Sequence, residues 1–391
     1  MNFSLTADHE MIRDSMRDYF TDNYPFARHL DRIRHRRGMD AELWAGMAGL
    51  GWLGLMVPAE AGGVGAGQEE GMLLMQEAGA ALNAEPLLAT AVLAAPLLAQ
   101  ALSSALIAEA LEATLAGRAS LALAWSESSH GFDPLKIQTT AVRTGASGFR
   151  LNGAKVLVDN GGSADWIIIP ARIGAGEEPL DGISLFLVPG GAKGLTRKPV
   201  PMIDGSWAAD LVLEDVQIDS SHLIGDADQG GPALLAAVYR GLAANCAEAL
   251  GAIGRSIELC QVYLQERKQF GKPLGAFQAL QHRYVDMVVA EERARSMSLV
   301  ATIRANEQAL DDDDAIRDFS LAKQVVGQVA RMVGSDAIQL HGGMGMALEY
   351  PIGHYYRKLL HCDAGFGTPD DHLSILVETD VRIQQRDEIR V

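Results

Sequence analysis

QERKQFGKPLGAFQALQH, residues 265–282, joins what read as two helices. Such a connector needs only a glycine or a proline to break the helical period. This one also sets Arg267 and Lys268 at the foot of the first helix, turns at a Gly-Lys-Pro corner and adds aromatics and glutamines, in a chain of formal net charge −17. Cations at a helix C-terminus complement the macrodipole, and the same group could dock an anion. On these residues alone both readings stand.

At 391 residues the chain can form two or three structural units with a large core. Its acidity argues against nucleic acid and anionic membrane surfaces as partners, while leaving room for a local basic pocket for a phosphorylated small molecule. The start, MNFSLTADHEMIRD, has no apolar signal core and does not read as a targeting peptide. The most apolar window, LLATAVLAAPLLAQAL at 87–102, is too short to span a bilayer and contains Pro96, so it is expected to be a buried helical hairpin. Cys246, Cys260 and Cys362 lack CxxC or His spacing and read as reduced core residues of a cytoplasmic protein.

Three textures succeed one another. Residues 1–118 are Ala/Leu-rich with helical spacing, a cap signal at Thr6–Glu10 and another at Asp40 before a helix to about Leu50. Residues 119–228 hold short β-like runs at 121–125, 139–143, 164–172, 183–189 and 209–218, with no helices between them. That argues for a small antiparallel barrel or sandwich rather than a parallel sheet. Residues 229–391 return to helical period, with helices near 231–268, 277–309, 313–339, 350–362 and 370–386. Long successive helices imply a bundle. The acidic run at 311–314 reads as a solvated loop that also caps the next helix.

GGVGAG at 62–67 lacks the Lys-Ser/Thr ending of a phosphate loop. HGGMG at 341–345 is either a helix C-cap or a place where backbone comes close to a ligand.

Taken together, RKQFGKPLGAFQALQ (267–281), QLHGGMGMALEYP (339–351) and VPAEAGGVG (57–65) resemble the acyl-CoA dehydrogenase family, as does the order of helices, β-domain and four-helix bundle along the chain. A closer likeness, in CAEALGAIG (246–254), FQALQHRYVDM (277–287) and GFGTPDDHL (365–373), is to the small subunits of pimeloyl-CoA dehydrogenases. The resemblance implies a mostly α protein with a central β-domain, FAD at a subunit interface, an acyl-CoA substrate, a homo- or hetero-oligomer (dimer or tetramer) and an electron-transferring flavoprotein as electron acceptor. It assigns the pyrophosphate and adenosine end of a neighbour's FAD to Arg267, Gln269, Phe270, Leu274, Phe277, Gln339, Gly342 and Gly343. The chain's own flavin side would be met by Ser126 and Thr368.

The pattern also breaks. Counting from Glu349-Tyr350-Pro351 places Phe366 where the family carries its glutamate base, and the alternative base position falls on Gly241. The family's Thr-Glu-Pro strand corresponds to Ser126-Glu127-Ser128, and its Trp-Ile-Thr-Asn wall to Leu157-Val158-Asp159-Asn160. A fixed anion at Asp159 beside a flavin would disfavour the reduced, negatively charged ring. Asp370 and Glu248 are substitute bases to weigh, against an N-cap role for Asp370 and Asp371 and a buried polar contact for Glu248; Asp363 would need the loop to refold. His341 and His361 read as structural, and no metal is expected. The half-site offered to a neighbour is thus intact and the chain's own half degraded, which a heteromer with a paralogous subunit carrying the base would explain. A homomer with a displaced base, a non-catalytic scaffold and another flavin chemistry on the same fold remain as alternatives.

Overall fold

The computed structural model describes residues 5–35, 38–128, 132–145, 148–174, 179–307 and 310–389, with side chains through 385. Helices α1 (Ala7–Asn23), α2 (Phe26–His35), α3 (Ala41–Gly49), α4 (Gln68–Ala80), α5 (Ala95–Ala99) and α6 (Ala105–Leu115) come first. Thr6 caps α1 by accepting from the His9 N–H, and Asp40 caps α3 by accepting from Glu42 and Leu43. Around them pack Phe20, Trp44, Met47, Leu53, Leu73 and Met75.

The expected hairpin at 87–102 is instead one continuous helical run. A π-helical stretch, Leu88–Ala94, passes directly into α5. Ala95 N–H reaches back to Thr90 O, and Pro96 falls in the first turn of α5, where a missing N–H costs nothing.

The middle of the chain forms β1 (Leu121–Leu123), β2 (Thr140–Thr144), β3 (Gly148–Asp159), β4 (Trp166–Arg172), β5 (Ile183–Pro189), β6 (Leu195–Pro201), β7 (Trp207–Asp219) and β8 (Leu223–Ile224). They make one sheet in the order β6-β7-β3-β2-β4-β5-β8, with β1 added beside β4. Pairing is antiparallel except β1–β4 and the single β2–β4 pair, Thr140 with Arg172. The parallel exception arises because β1 is tied to the helices: Thr90 Oγ1 donates to Leu121 O and accepts from Leu121 N. Three strands escaped the sequence reading, among them the two-residue β8. β3 carries Asn152-Gly153, a turn signal, and holds bulges there and between Lys155 and Val158. β6 carries Pro199 and Pro201, tolerated because it lies at the sheet edge.

The last region holds α7 (Gly231–Glu266), a two-residue hairpin β9 (Lys268–Gln269) and β10 (Lys272–Pro273), then α8 (Gln278–Ala305), α9 (Asp313–His341), α10 (Ile352–Ala364) and α11 (Pro369–Ile389). The expected end of α8 at 309 lies outside the described residues. Asp312 caps α9 through the Ala315 N–H. Among the described residues no helix is long and apolar enough to cross a membrane.

Helices α4 and α7 touch backbone to backbone. A Cβ added at Gly251 would lie 1.8 Å from Gln76 O, and one at Gly79 would lie 2.0 Å from Glu248 O. No side chain fits, so this crossing holds the N-terminal helices at a fixed depth on the bundle. Gly251→Ala is expected to cost about 3 kcal/mol by overpacking, measured as a lower denaturant midpoint; an unchanged midpoint would show that the helices can separate there.

Candidate functional site

Two residue groups emerge at opposite ends of α7. At its C-terminal end, β9 and β10 are joined by Phe270 and Gly271, at φ +53° and +81°. Two positive φ values in a two-residue loop mark a type I′ turn, where a bulky aromatic is unusual and strained. The Phe270 ring is 91% exposed, meeting the edge of Phe277 at 6.2 Å between centroids. Lys272 Nζ stands 4.2 Å over the Phe277 ring. Arg267 is exposed and its guanidinium makes no hydrogen bond or ion pair among the described residues; its backbone carbonyl accepts from Leu274 N–H at 2.8 Å. Gln269 is exposed, and among the described residues its side chain donates only to Lys268 O.

The glycine turn after α9 comes to the same end. Tyr263, one turn before Arg267, donates to His341 O at 3.3 Å and lies 4.4 Å from the His341 ring. Gln339, Gly342 and Gly343 are exposed there, and a Cβ at either glycine would meet nothing within 4 Å. Gly342 also serves as the helix C-cap at φ +56°, so both readings of HGGMG hold at once. His341 is buried, hydrogen-bonded to Ala337 O and Tyr350.

Near the N-terminal end of α7 lies a cavity of about 300 Å³, lined among others by Trp125, Ser126, Asp159, Asn245, His361 and Phe366. Phe366 sits at φ +57°, its carbonyl accepting from His372 Nε2 at 2.7 Å. Burial lowers His372 to about 4, so the ring stays neutral and keeps that proton. The Phe366 ring stacks on Trp125 at 5.7 Å. A Cβ at Gly241 would fall 2.8 Å from that ring. The two positions assigned to a base by resemblance therefore meet in one contact, and carbon fills it.

Glu127, Asp133 and Asp371 line this cavity together with Asp159, whereas Asp370, Asp363 and Glu248 do not. Asp370 is exposed at the start of α11 and does not line the cavity. Asp371 accepts from the N–H and hydroxyl of Thr368, which caps α11 in return. Asp363, buried on α10 rather than in a loop, is 2.5 Å from Arg331 Nε. Glu127 takes Lys155 Nζ at 2.7 Å and the Thr139 hydroxyl at 2.6 Å, which makes it a buried structural anion.

Glu248 belongs to a second, adjoining cavity of about 280 Å³, which shares Leu88, Ala89, Asp159 and His361 with the first. There Lys358 Nζ donates to Glu248 Oε1 at 2.8 Å, Asp204 Oδ2 at 2.9 Å and Asn83 O at 3.0 Å. Burial alone would favour the neutral amine, but Asp204 and Glu248 hold Lys358 well above the usual lysine range. Burial would likewise raise Asp204, but His361 and Lys358 hold it well below the usual carboxylate range. Arg32 pairs with Glu85 beside them. His361, expected to be structural, faces both cavities and lies 3.9 Å from Asp204.

Asp159 is the residue whose position the sequence undervalued. Its carboxylate makes no hydrogen bond or ion pair among the described residues, and it lines both cavities. Burial pushes it up, opposed by His361 and reinforced by Asp204 and Glu248. Its half-buried place on the wall between two cavities follows from the bulge in β3 that turns the 157–160 segment, and no periodicity announces a bulge.

Family models for the acyl-CoA dehydrogenase N-terminal, middle and C-terminal domains match residues 6–118, 122–216 and 228–379. A probable acyl-CoA dehydrogenase of Bacillus subtilis (strain 168) is 29% identical over 377 residues, 95% of this chain and 97% of that protein. Among solved structures, PigA with FAD and proline superposes at TM-score 0.87 with 26% identity, over 97% of this chain and 98% of that one. A variant of the Tcur3481-Tcur3483 steroid ACAD superposes at TM-score 0.84 with 28% identity, over 97% and 99%.

Replacing Lys358 by Met strands two buried carboxylates and is expected to cost about 3–5 kcal/mol of unfolding free energy. Because the folded Asp204 carboxyl is held below its unfolded range, its contribution is present above about pH 4 and is lost as pH falls further. Asp204→Asn should therefore flatten the acid limb of a stability–pH curve; an acid limb identical to the wild type's would count against this assignment.

Proposed function

Because this chain belongs to the acyl-CoA dehydrogenase family, we propose that it is one subunit of a heteromeric, FAD-dependent dehydrogenase acting on a CoA thioester. The observation that carries this is the seating of the Phe366 ring on Gly241. Removing the weakly acidic α-proton of a thioester needs a positioned carboxylate, worth about 10²–10⁴ in rate. Neither position supplies one, and neither Asp370 nor Glu248 lines this cavity.

The second support is distance. From Gly241 to Glu266 runs 25 residues of continuous helix, about 37 Å at 1.5 Å per residue. The Arg267 corner is thus too far from the chain's own cavity to hold the other end of one dinucleotide, and it serves a cofactor seated in another subunit. Its residues fit that task. An unpaired guanidinium fork suits a pyrophosphate, the Phe270 and Phe277 rings give apolar faces, and the open Gly342-Gly343 backbone permits close approach. Leu274, half-buried, anchors the hairpin through its bond to the Arg267 carbonyl. FAD, when bound, would accept the hydride from the β-carbon, and an electron-transferring flavoprotein would take the electrons onward. A solved steroid ACAD carrying the paired name Tcur3481-Tcur3483 supports the two-chain arrangement, and PigA with FAD supports the cofactor.

In this arrangement the chain's residues bind and orient. Arg267 and Gln269 fix the cofactor's diphosphate end, Gln339 adds a donor at the glycine turn, and the partner brings the base. Ser126 lines the chain's own cavity, whereas the Thr368 hydroxyl is engaged with Asp371, so of the two flavin-side residues only Ser126 keeps a free approach.

One observation favours a second reading, a homomer that is itself catalytic: Asp159 is an unpaired carboxyl with a raised pKa on the cavity wall. Flavin content separates the two. The chain purified alone should carry well below one FAD, and co-expression with the paralogous subunit should restore it together with dehydrogenase activity. Within that complex Arg267→Ala should weaken FAD binding about 10–100-fold, the loss of a charge-assisted contact. Full FAD and turnover in the chain alone would sink the heteromer, and Asp159→Asn should then cut kcat by about 10²–10⁴.

A further inference from the structure

The cavity that holds Trp125 and Phe366 has acidic approaches on both sides. On one side it adjoins a larger surface cavity of about 800 Å³, with which it shares Phe132, Asp133 and Asp371. Four carboxyl groups line that outer cavity: Asp133, Asp311, Asp371 and Glu378. Among the described residues its one lining cation is Arg382, which is paired with Asp313 at 2.7 Å. On the other side lies the cavity around Lys358, where Glu85, Asp159, Asp204 and Glu248 stand against Arg32 and Lys358, both already ion-paired. Among the described residues no lysine or arginine lines the Phe366 cavity itself.

Two further cations nearby hold the protein together. Arg172 donates to the carbonyls of Leu135, Ile137, Pro179 and Asp181, which ties together the two loops that edge the outer cavity. Lys155 is buried against Glu127 at 2.7 Å. Lys136 is exposed on the first of those loops but does not line the outer cavity. The stretches at 129–131, 175–178 and 308–309 contain no lysine or arginine. The corner at the far end of α7 is the opposite case, with Arg267, Lys268 and Lys272 all on the surface. Exposed cations thus stand where we place a cofactor's diphosphate, and acids stand where a thioester would enter this chain.

We propose that Asp133, Asp311, Asp371 and Glu378 determine specificity by closing this chain's own cavity to CoA thioesters, so that the heteromer takes up its thioester through the partner alone, one per pair of subunits. CoA is a polyanion, and its phosphates would have to lie in or beside the outer cavity when the acyl chain reaches Phe366. Like charges in a concave, partly desolvated mouth repel it, because the low-dielectric walls focus their field. A thioester without phosphates meets no such barrier. The inference rests on the proposed function only for the pairing with a second subunit; the exclusion is a property of this chain and needs neither FAD nor a base.

The test is calorimetric titration of the purified chain at low ionic strength with hexanoyl-CoA and with the uncharged hexanoyl-N-acetylcysteamine. The uncharged thioester should bind the tighter of the two. The decisive variant combines Asp311→Lys with Glu378→Lys, both exposed positions; Asp133 and Asp371 are left intact because they accept from the Leu135 and Thr368 N–H groups. It should bind hexanoyl-CoA about tenfold tighter than the wild type and the uncharged thioester no better, and raising the salt should erase the gain. Misfolding does not produce such a gain. Tighter binding of hexanoyl-CoA than of the uncharged thioester by the wild type, no gain in the variant, or a gain indifferent to salt would overturn the inference; where the wild type binds neither thioester, the variant decides. Flavin content decides the heteromer separately. A chain that carries full FAD yet refuses hexanoyl-CoA sinks that reading and keeps this one, whereas a heteromer that binds two thioesters per pair does the reverse.

Discussion

Lys358 is the point on which the three regions meet. It comes from α10, and its three hydrogen-bond partners come from elsewhere: Asn83 follows α4, Asp204 lies between β6 and β7, and Glu248 is on α7. An ammonium buried this deeply is tolerable only if every proton is directed at an oxygen and the charge is matched. That requirement fixes where the N-terminal helices and the sheet sit against the bundle.

The second constraint is the length of α7. Its 36 unbroken residues carry the Arg267 corner about 37 Å from Gly241 and the chain's own cavity. The small residues along it decide what it touches. Gly251 admits the α4 backbone and Gly241 admits the Phe366 ring. A side chain at either position would collide with the group that the glycine admits.

The sequence was most legible where chemistry is local. Caps at Thr6, Asp40 and Asp312 follow from short side chains next to free N–H groups, and long periodic segments yielded the helices. The corner at 267–277 could be recognised because it packs its cations, aromatic rings and glycines into a dozen consecutive residues. Reading failed where a neighbour overrode a local signal. Asn152-Gly153 looks like a turn yet lies inside β3, since flanking strands on both sides supply its pairing. Pro96 looks like a hairpin break yet lies in a continuous helical run, because the preceding π turn removes the need for its N–H.

By itself the sequence determined the mostly helical architecture with its central β region and the family, since each depends on periodicity or on neighbours in the chain. Only the tertiary structure decided what Glu248, Asp159 and His361 do. Glu248 looked like a substitute base two turns from Gly241, and three-dimensional packing turned it toward Lys358, 110 residues away. Asp159 looked like a lost hydroxyl, and a bulge placed it unpaired between two cavities. Charges act through space over a few ångströms, and which charges come that close is settled by how distant segments pack, not by their order along the chain.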